Sequence, residues 1–180
     1  MITGPSGVGK GTLIRRLLER VAGLGLSVSA TTRPPRAGER DGVDYYFMTP
    51  EEFEAHVAAG DFVEHATYSG QQYGTLRSEL ERRLAAGRGA VLEIEVQGAR
   101  QVRSAMPDAV AVFIAPPSRE ALRARLLGRG TDSAAQVDAR LRMAEREIEA
   151  QPEFAHVVVN DRLEHATEEL IGIVRAAIDP

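Results

Sequence analysis

Residues 4–12 read Gly4-Pro5-Ser6-Gly7-Val8-Gly9-Lys10-Gly11-Thr12, and Lys10 is the only lysine in the chain. The other 21 basic side chains are arginines. A compact ammonium fits between the oxygens of adjacent phosphates, where a forked, planar guanidinium does not. The glycines let backbone N–H groups curl around an anion, and the run opens directly into a helical pattern whose N-terminus attracts negative charge. Together these features predict a P-loop that takes the phosphates of a nucleoside triphosphate. The segment therefore has to lie between a strand and a helix. That requirement constrains the fold more than anything else in the chain.

The helix is legible. Leu13, Ile14, Leu17, Leu18 and Val21 recur at helical spacing, with Arg15, Arg16, Glu19 and Arg20 on the other face. The strand is not, because only Met1, Ile2 and Thr3 precede Gly4. A first strand shortened at its N-terminal end is the expectation.

The remaining pattern alternates short apolar strands with amphipathic helices. Segments 26–30, 90–95, 109–115 and 156–160 read as buried strands, and 97–105, 118–127, 133–150 and 164–178 as helices. Such alternation predicts an α/β fold: a three-layer core with a parallel sheet. Capping boxes are expected at Thr49 with Glu52 and at Ser133 with Gln136. The segment 34–87 breaks the alternation, holds all four tyrosines, and reads as a small mixed α/β lobe inserted in the core. One domain over 1–180 is expected, with 1–33 and 88–180 as core, 34–87 as acceptor lobe and 128–140 as a lid region. A chain of 180 residues with 43% hydrophobic and 27% charged residues can bury a full core. A net charge of −4 argues against binding nucleic acid or anionic membranes, and the absence of cysteine removes disulfides and thiolate zinc sites. No apolar run is long enough to span a bilayer, so a cytoplasmic location is expected.

Four constellations could carry chemistry. Arg33 and Arg36, braced by Pro34 and Pro35 after a strand, suit phosphate recognition; a solvated Arg-Pro loop is the alternative. Glu64, Tyr73, Thr75 and Tyr45 lie together on or near strands of the lobe, where a carboxylate beside hydroxyls could read the two donors on the edge of guanine. Glu93 and Glu95 share one face of an otherwise apolar strand, so burial would oblige them to meet cations or donors. Arg125, Arg129 and Arg140 surround the Gly128–Gly130 lid, where cations could close over a transferring phosphoryl group.

The ordered series Gly4–Lys10, Ser27–Glu39, Tyr68-Ser69-Gly70 with Tyr73-Gly74-Thr75, Glu95–Gly98, Phe113–Ser118, Arg129-Gly130-Thr131 and Val159-Asn160-Asp161 resembles guanylate kinases over essentially the whole chain. The resemblance implies reversible transfer of the γ-phosphoryl group of MgATP to GMP. It implies that Gly4, Pro5, Ser6, Gly7, Val8, Gly9, Lys10, Gly11 and Thr12 hold the ATP phosphates, with Asn160 by the adenine. Arg33, Arg36, Tyr45 and Tyr73 would hold the GMP phosphate, and Ser29, Glu64, Thr75 and Glu95 would read guanine. Lys10, Arg125, Arg129 and Arg140 would stabilise charge during transfer. Mg²⁺ would arrive with ATP, linked indirectly to Thr12 and Glu93. No nucleic acid, membrane or obligate protein partner is implied.

Two departures stand out. Gly11 occupies the position of the usual hydroxyl residue, and Glu93 and Glu95 stand where aspartates are common. Two rival readings are a non-catalytic binding module of the same fold and a P-loop kinase with a sugar-phosphate acceptor.

Overall fold

The computed structural model describes residues 1–68, 70–128 and 134–178, giving only the backbone for 134–136. Two compact units emerge, each assembled from separated stretches of chain.

The first unit comprises residues 1–22, 93–96 and 110–180. Its parallel sheet has the order β1 (Ile2–Thr3), β8 (Val112–Ala115), β9 (His156–Val159). Every residue of β8 is buried, as befits a strand covered on both faces. Although β1 has only two residues, it pairs Ile2 with Val112 and Thr3 with Phe113, and it bridges Glu93 on its other side. The helices of this unit are α1 (Lys10–Arg20), α5 (Arg119–Leu127), α6 (Ala134–Glu149) and α7 (Leu163–Ile178). Leu122 and Leu126 of α5 pack on Val137, Leu141 and Ala144 of α6. Ser118 caps α5 by accepting the Ala121 N–H at 3.1 Å. Arg16–Glu164 and Arg20–Glu168 link α1 to α7. Both pairs are exposed and contribute little beside the apolar contact.

The second unit comprises residues 23–92 and 97–109. Strands β2 (Leu24–Leu26) and β7 (Gly89–Val91) pair in parallel. A four-stranded mixed sheet has the order β4 (Tyr46–Phe47), β3 (Ala30–Thr31), β6 (Gln71–Leu76), β5 (Phe62–Tyr68). Helices α2 (Pro50–Ala59), α3 (Arg77–Ala85) and α4 (Val96–Ala105) complete it, the last beginning at its first residue in the other unit. The expected capping box at Thr49 and Glu52 is present in full, with Pro50 at the first helical position and Gly60 ending α2 in the left-handed region. The second expected box begins at Ser133, outside the described residues.

The single strand expected over 26–30 is instead two. Residues 24–26 pair with β7, whereas 30–31 pair with β6 and β4. Both pieces are extended, so the apolar pattern runs through the break without marking it.

The small core of this unit is Ala30, Phe53, Phe62 and Leu76, with Phe53 and Phe62 stacked at 4.5 Å between ring centroids. Phe53 has no exposed surface. Phe53→Ala is expected to destabilise the fold by about 3–5 kcal/mol in urea unfolding; a loss below about 1 kcal/mol would contradict this packing.

Candidate active site

In the first unit, the phosphate loop is shaped by glycines that admit no substitute. Gly4, Gly7 and Gly9 have φ of 139°, 84° and 100°. A Cβ on Gly4 would collide with the Ile114 carbonyl, one on Gly7 would press on Leu126, and one on Gly9 would lie 2.6 Å from Asn160 Nδ2. Gly9 caps α1 without a side-chain bond, leaving the first N–H groups of the helix to an incoming anion. Lys10 is buried, and its ammonium donates back to the Gly4 carbonyl at 2.5 Å and more weakly to Pro5 at 3.4 Å.

Asn160 follows β9 and donates Nδ2–H to the Val8 carbonyl at 2.8 Å. Arg125, expected among the charge-stabilising residues, spends its two terminal nitrogens on backbone. They donate to the Val8 carbonyl at 3.1 Å and the Asn160 carbonyl at 2.7 Å. It thus braces the loop against the end of β9. Beside it lies a cavity of about 250 Å³ lined by Val8, Gly9, Thr12, Arg125, Asn160, Asp161 and Leu163. Arg140 is half-buried on α6. Arg129 lies outside the described residues.

Glu93 is exposed to water. Partial burial pushes its carboxyl up, Lys10 opposes that shift, and Glu95 adds to it. Gly11 has open space around it, the nearest atom to an added Cβ being Glu93 Oε2 at 4.0 Å. Thr12 is exposed on the first turn of α1. Burial, then Glu95, pushes the carboxyl of Glu147 on α6 up to about 8.

The second unit gathers the acceptor candidates. Arg33 donates to both oxygens of Glu39 at 2.8 and 2.9 Å and to the Pro34 carbonyl at 2.7 Å. Its guanidinium lies over the rings of Tyr45 and Phe47, 5.2 and 5.8 Å from their centroids. Glu39 also accepts the Arg36 N–H at 2.7 Å. That backbone bond, with the Arg33 charge, holds the Glu39 carboxyl below its ordinary range. Tyr45 and Tyr73 meet edge-to-face, with ring centroids 6.3 Å apart. So Arg33, Arg36, Tyr45 and Tyr73 form one cluster, organised by a glutamate that the sequence pattern did not single out. Its only advance signal was its position three residues after Arg36.

Glu64 of β5 is buried and accepts the Thr75 hydroxyl of β6 at 2.7 Å. The two residues are register partners in the sheet. The second carboxyl oxygen of Glu64 lies against Gly98 of α4, where a Cβ would collide with it. Gln101, one turn further along α4, clamps the His65 N–H and carbonyl at 3.1 and 2.7 Å. Ser29 accepts the Tyr46 N–H through its carbonyl at 2.9 Å.

A glycine-shaped loop opening a helix, with an arginine–tyrosine cluster in the same chain, is the arrangement expected of a P-loop phosphotransferase. The sequence profile of guanylate kinases matches residues 1–177. A guanylate kinase of Chromohalobacter salexigens is 50% identical over 176 residues, covering 98% of this chain and 82% of that protein. One of Frankia casuarinae is 52% identical over 174 residues, covering 97% and 95%. The crystal structure of guanylate kinase from Anaplasma phagocytophilum aligns with a TM-score of 0.76 at 35% identity, over 97% of this chain and 82% of that one. The chain belongs to the guanylate kinase family.

Two helical glycines give opposite expectations for one substitution. At Gly98 an added methyl displaces the Glu64 carboxylate from Thr75, so Gly98→Ala should cost about 1–3 kcal/mol of stability. At Gly11 the methyl meets open space, and Ala should add up to about 1 kcal/mol through helix propensity. Thermal unfolding of both variants checks this; the same sign for both would contradict it.

Proposed function

We infer that the chain transfers the γ-phosphoryl group of MgATP to GMP, giving ADP and GDP. The observation that carries this reading is the buried Glu64 carboxylate hydrogen-bonded to Thr75 beside the Arg33–Arg36–Tyr45–Tyr73 cluster. A carboxylate suits the N1–H and N2–H₂ donors of guanine, and adenine lacks that pair. A buried acceptor left unpaired by the wrong base costs up to about 10⁴-fold in discrimination.

In the proposed arrangement Arg33, Arg36, Tyr45 and Tyr73 hold the GMP phosphate, while Ser29, Glu64, Thr75 and Glu95 read the base. An oxygen of that phosphate forms the new bond to the γ-phosphorus, and the bond to the β–γ bridging oxygen breaks, leaving on ADP. The attacking oxygen is already anionic, so no side-chain base is needed, and positioning and charge stabilisation supply the rate. Loop N–H groups and Lys10 receive the triphosphate, and Asn160 lines the cavity we assign to adenine. Arg140 and Arg129 complete the proposed cationic set, and Arg125 is assigned to bracing the loop.

Among the described residues no three His, Asp or Glu side chains converge into a metal cage. The ion would be carried by the nucleotide's own phosphates and water, with Thr12, exposed on the first turn of α1, and Glu93 at its water shell. When bound, Mg²⁺ neutralises phosphate charge. The proposed location is the cytoplasm. No described helix is long and apolar enough to cross a membrane.

A coupled ADP-formation assay with GMP, AMP, UMP and ribose bisphosphate tests the reading, with GMP expected as the preferred acceptor. A sugar-phosphate preference, or nucleotide binding without turnover, would sink it in favour of a rival. Glu64→Ala is expected to raise the KM for GMP at least about tenfold, leave that for ATP little changed, and narrow the gap between GMP and AMP. Unchanged GMP kinetics in that variant would remove guanine from Glu64.

A further inference from the structure

Tyr46 stands between two aromatic residues of the acceptor cluster and turns away from both. Successive side chains of an extended strand take opposite faces. Tyr45 and Phe47 lie under the Arg33 guanidinium, their ring centroids 5.8 Å apart. Tyr46 and Met48 pack instead on the small core of Ala30, Phe53, Phe62 and Leu76. From there the Tyr46 hydroxyl donates to Glu79 Oε2 at 3.1 Å. Glu79 lies in the first turn of α3 and is 2% exposed. Its Oε2 also accepts an N–H of Arg82, and its Oε1 accepts the Nε–H of Arg83, both at 2.6 Å. Burial pushes this carboxyl up, but Arg82, Arg83 and Tyr46 outweigh that and hold it below its ordinary range. Glu79 is therefore an ionised acceptor at neutral pH, and its bond to the phenol is charge-assisted.

The sheet gives that bond its reach. Strand β3 lies between β4 and β6. Edge strand β4 has two residues, and the Tyr46 and Met48 N–H groups donate to the Ser29 and Thr31 carbonyls at 2.9 and 3.0 Å. So short a ladder orients a strand weakly by itself. Strand β6 runs directly into α3, with Leu76 at the helix cap, so Glu79 sits one turn beyond the strand that carries Tyr73 and Thr75. The Tyr46–Glu79 bond thus spans β3 and ties the edge strand to the end of β6. On the opposite face of β4, the Tyr45 ring meets that of Tyr73.

We propose that Glu79 is a positioning residue for the acceptor phosphate: by holding the Tyr46 hydroxyl it fixes edge strand β4, so that Tyr45 and Phe47 stay beneath Arg33. This rests on the reading of Arg33, Arg36, Tyr45 and Tyr73 as the GMP phosphate site. Arg82 and Arg83 keep Glu79 charged and in place, and Tyr46 carries the constraint to the cluster. Glu79 acts through Tyr46 and touches no substrate in this scheme. A small displacement of a phosphate-holding side chain is enough to weaken the acceptor's hold.

The test compares wild type, Tyr46→Phe, Glu79→Gln and the double variant. Phenylalanine keeps the ring in the core and removes the hydroxyl alone. Glutamine keeps the shape of Glu79 but turns an NH₂ group toward one of its former donors. Each single variant should raise the KM for GMP about tenfold, the scale for loss of one hydrogen bond to a charged group. The KM for MgATP should stay within about twofold of wild type. The double variant should lie within about twofold of the more impaired single, because both changes break the same link. Assays run well below each melting temperature separate positioning from stability: a purely structural Glu79 would lower the melting temperature and leave the KM for GMP unchanged. That result, equal rises in both KM values, or additive effects in the double variant would overturn the proposal. If Glu79→Gln does not fold, Tyr46→Phe against wild type decides. Calorimetric binding of GMP, measured alongside, needs no turnover. A wild-type protein that binds GMP without forming ADP would sink the transfer reading alone, and the same loss should then appear in the Kd for GMP. A wild-type protein that does not bind GMP would overturn both.

Discussion

Everything at the nucleotide end of this protein depends on one backbone constraint: a loop in which Gly4, Gly7 and Gly9 are held at positive φ with no room for a side chain. That conformation turns successive N–H groups inward and delivers the chain to α1 with its first donors unpaired. It survives because other elements leave it no alternative. The Ile114 carbonyl closes one side, Leu126 another, and Asn160 a third. Arg125 then ties the loop to the end of β9 through two carbonyls. A loop so shaped before any ligand arrives has less ordering entropy to lose on binding.

Acidic side chains in both units prepare cations or are prepared by them. Glu39 fixes Arg33 above two aromatic rings, so the guanidinium is oriented in advance, and it anchors Arg36 through the backbone. Buried Glu79 receives Arg82 and Arg83, both at 2.6 Å, and the Tyr46 hydroxyl at 3.1 Å. Burial works against its ionisation, yet these donors outweigh that cost and hold its carboxyl low. Glu95 and Glu147 are the exception: each keeps a buried carboxyl oxygen with no hydrogen-bond partner among the described residues, and burial, then Glu95, pushes the Glu147 carboxyl up to about 8.

Much of this was legible in the sequence because its causes are local. Loop, helix α1, the Thr49–Glu52 cap and the Val112–Ala115 strand follow from spacing and residue type over a few positions. The 26–30 break was hidden, because both halves are extended and only their partners differ. The cost of two acids in an apolar run was also readable, but the remedy was not, and neither was that the strand expected over 90–95 ends at Val91. Glu93 faces Lys10, whereas Glu95 acts on an acid more than fifty positions away. Gly98 looked like an ordinary helical glycine until the Glu64 carboxylate was seen to occupy its methyl position. Such contacts are set by packing across long sequence separation, which periodicity does not encode.

In the proposed mechanism an ammonium, and not merely a positive charge, is needed at Lys10 within a preformed loop. The direct measurement is turnover of Lys10→Arg with saturating MgATP and GMP, alongside its melting temperature. A loss of about 100-fold or more in kcat is expected, the scale for removing one preorganised electrostatic contact, in a protein that still melts cooperatively. Turnover within a few-fold of wild type in the arginine variant would contradict it.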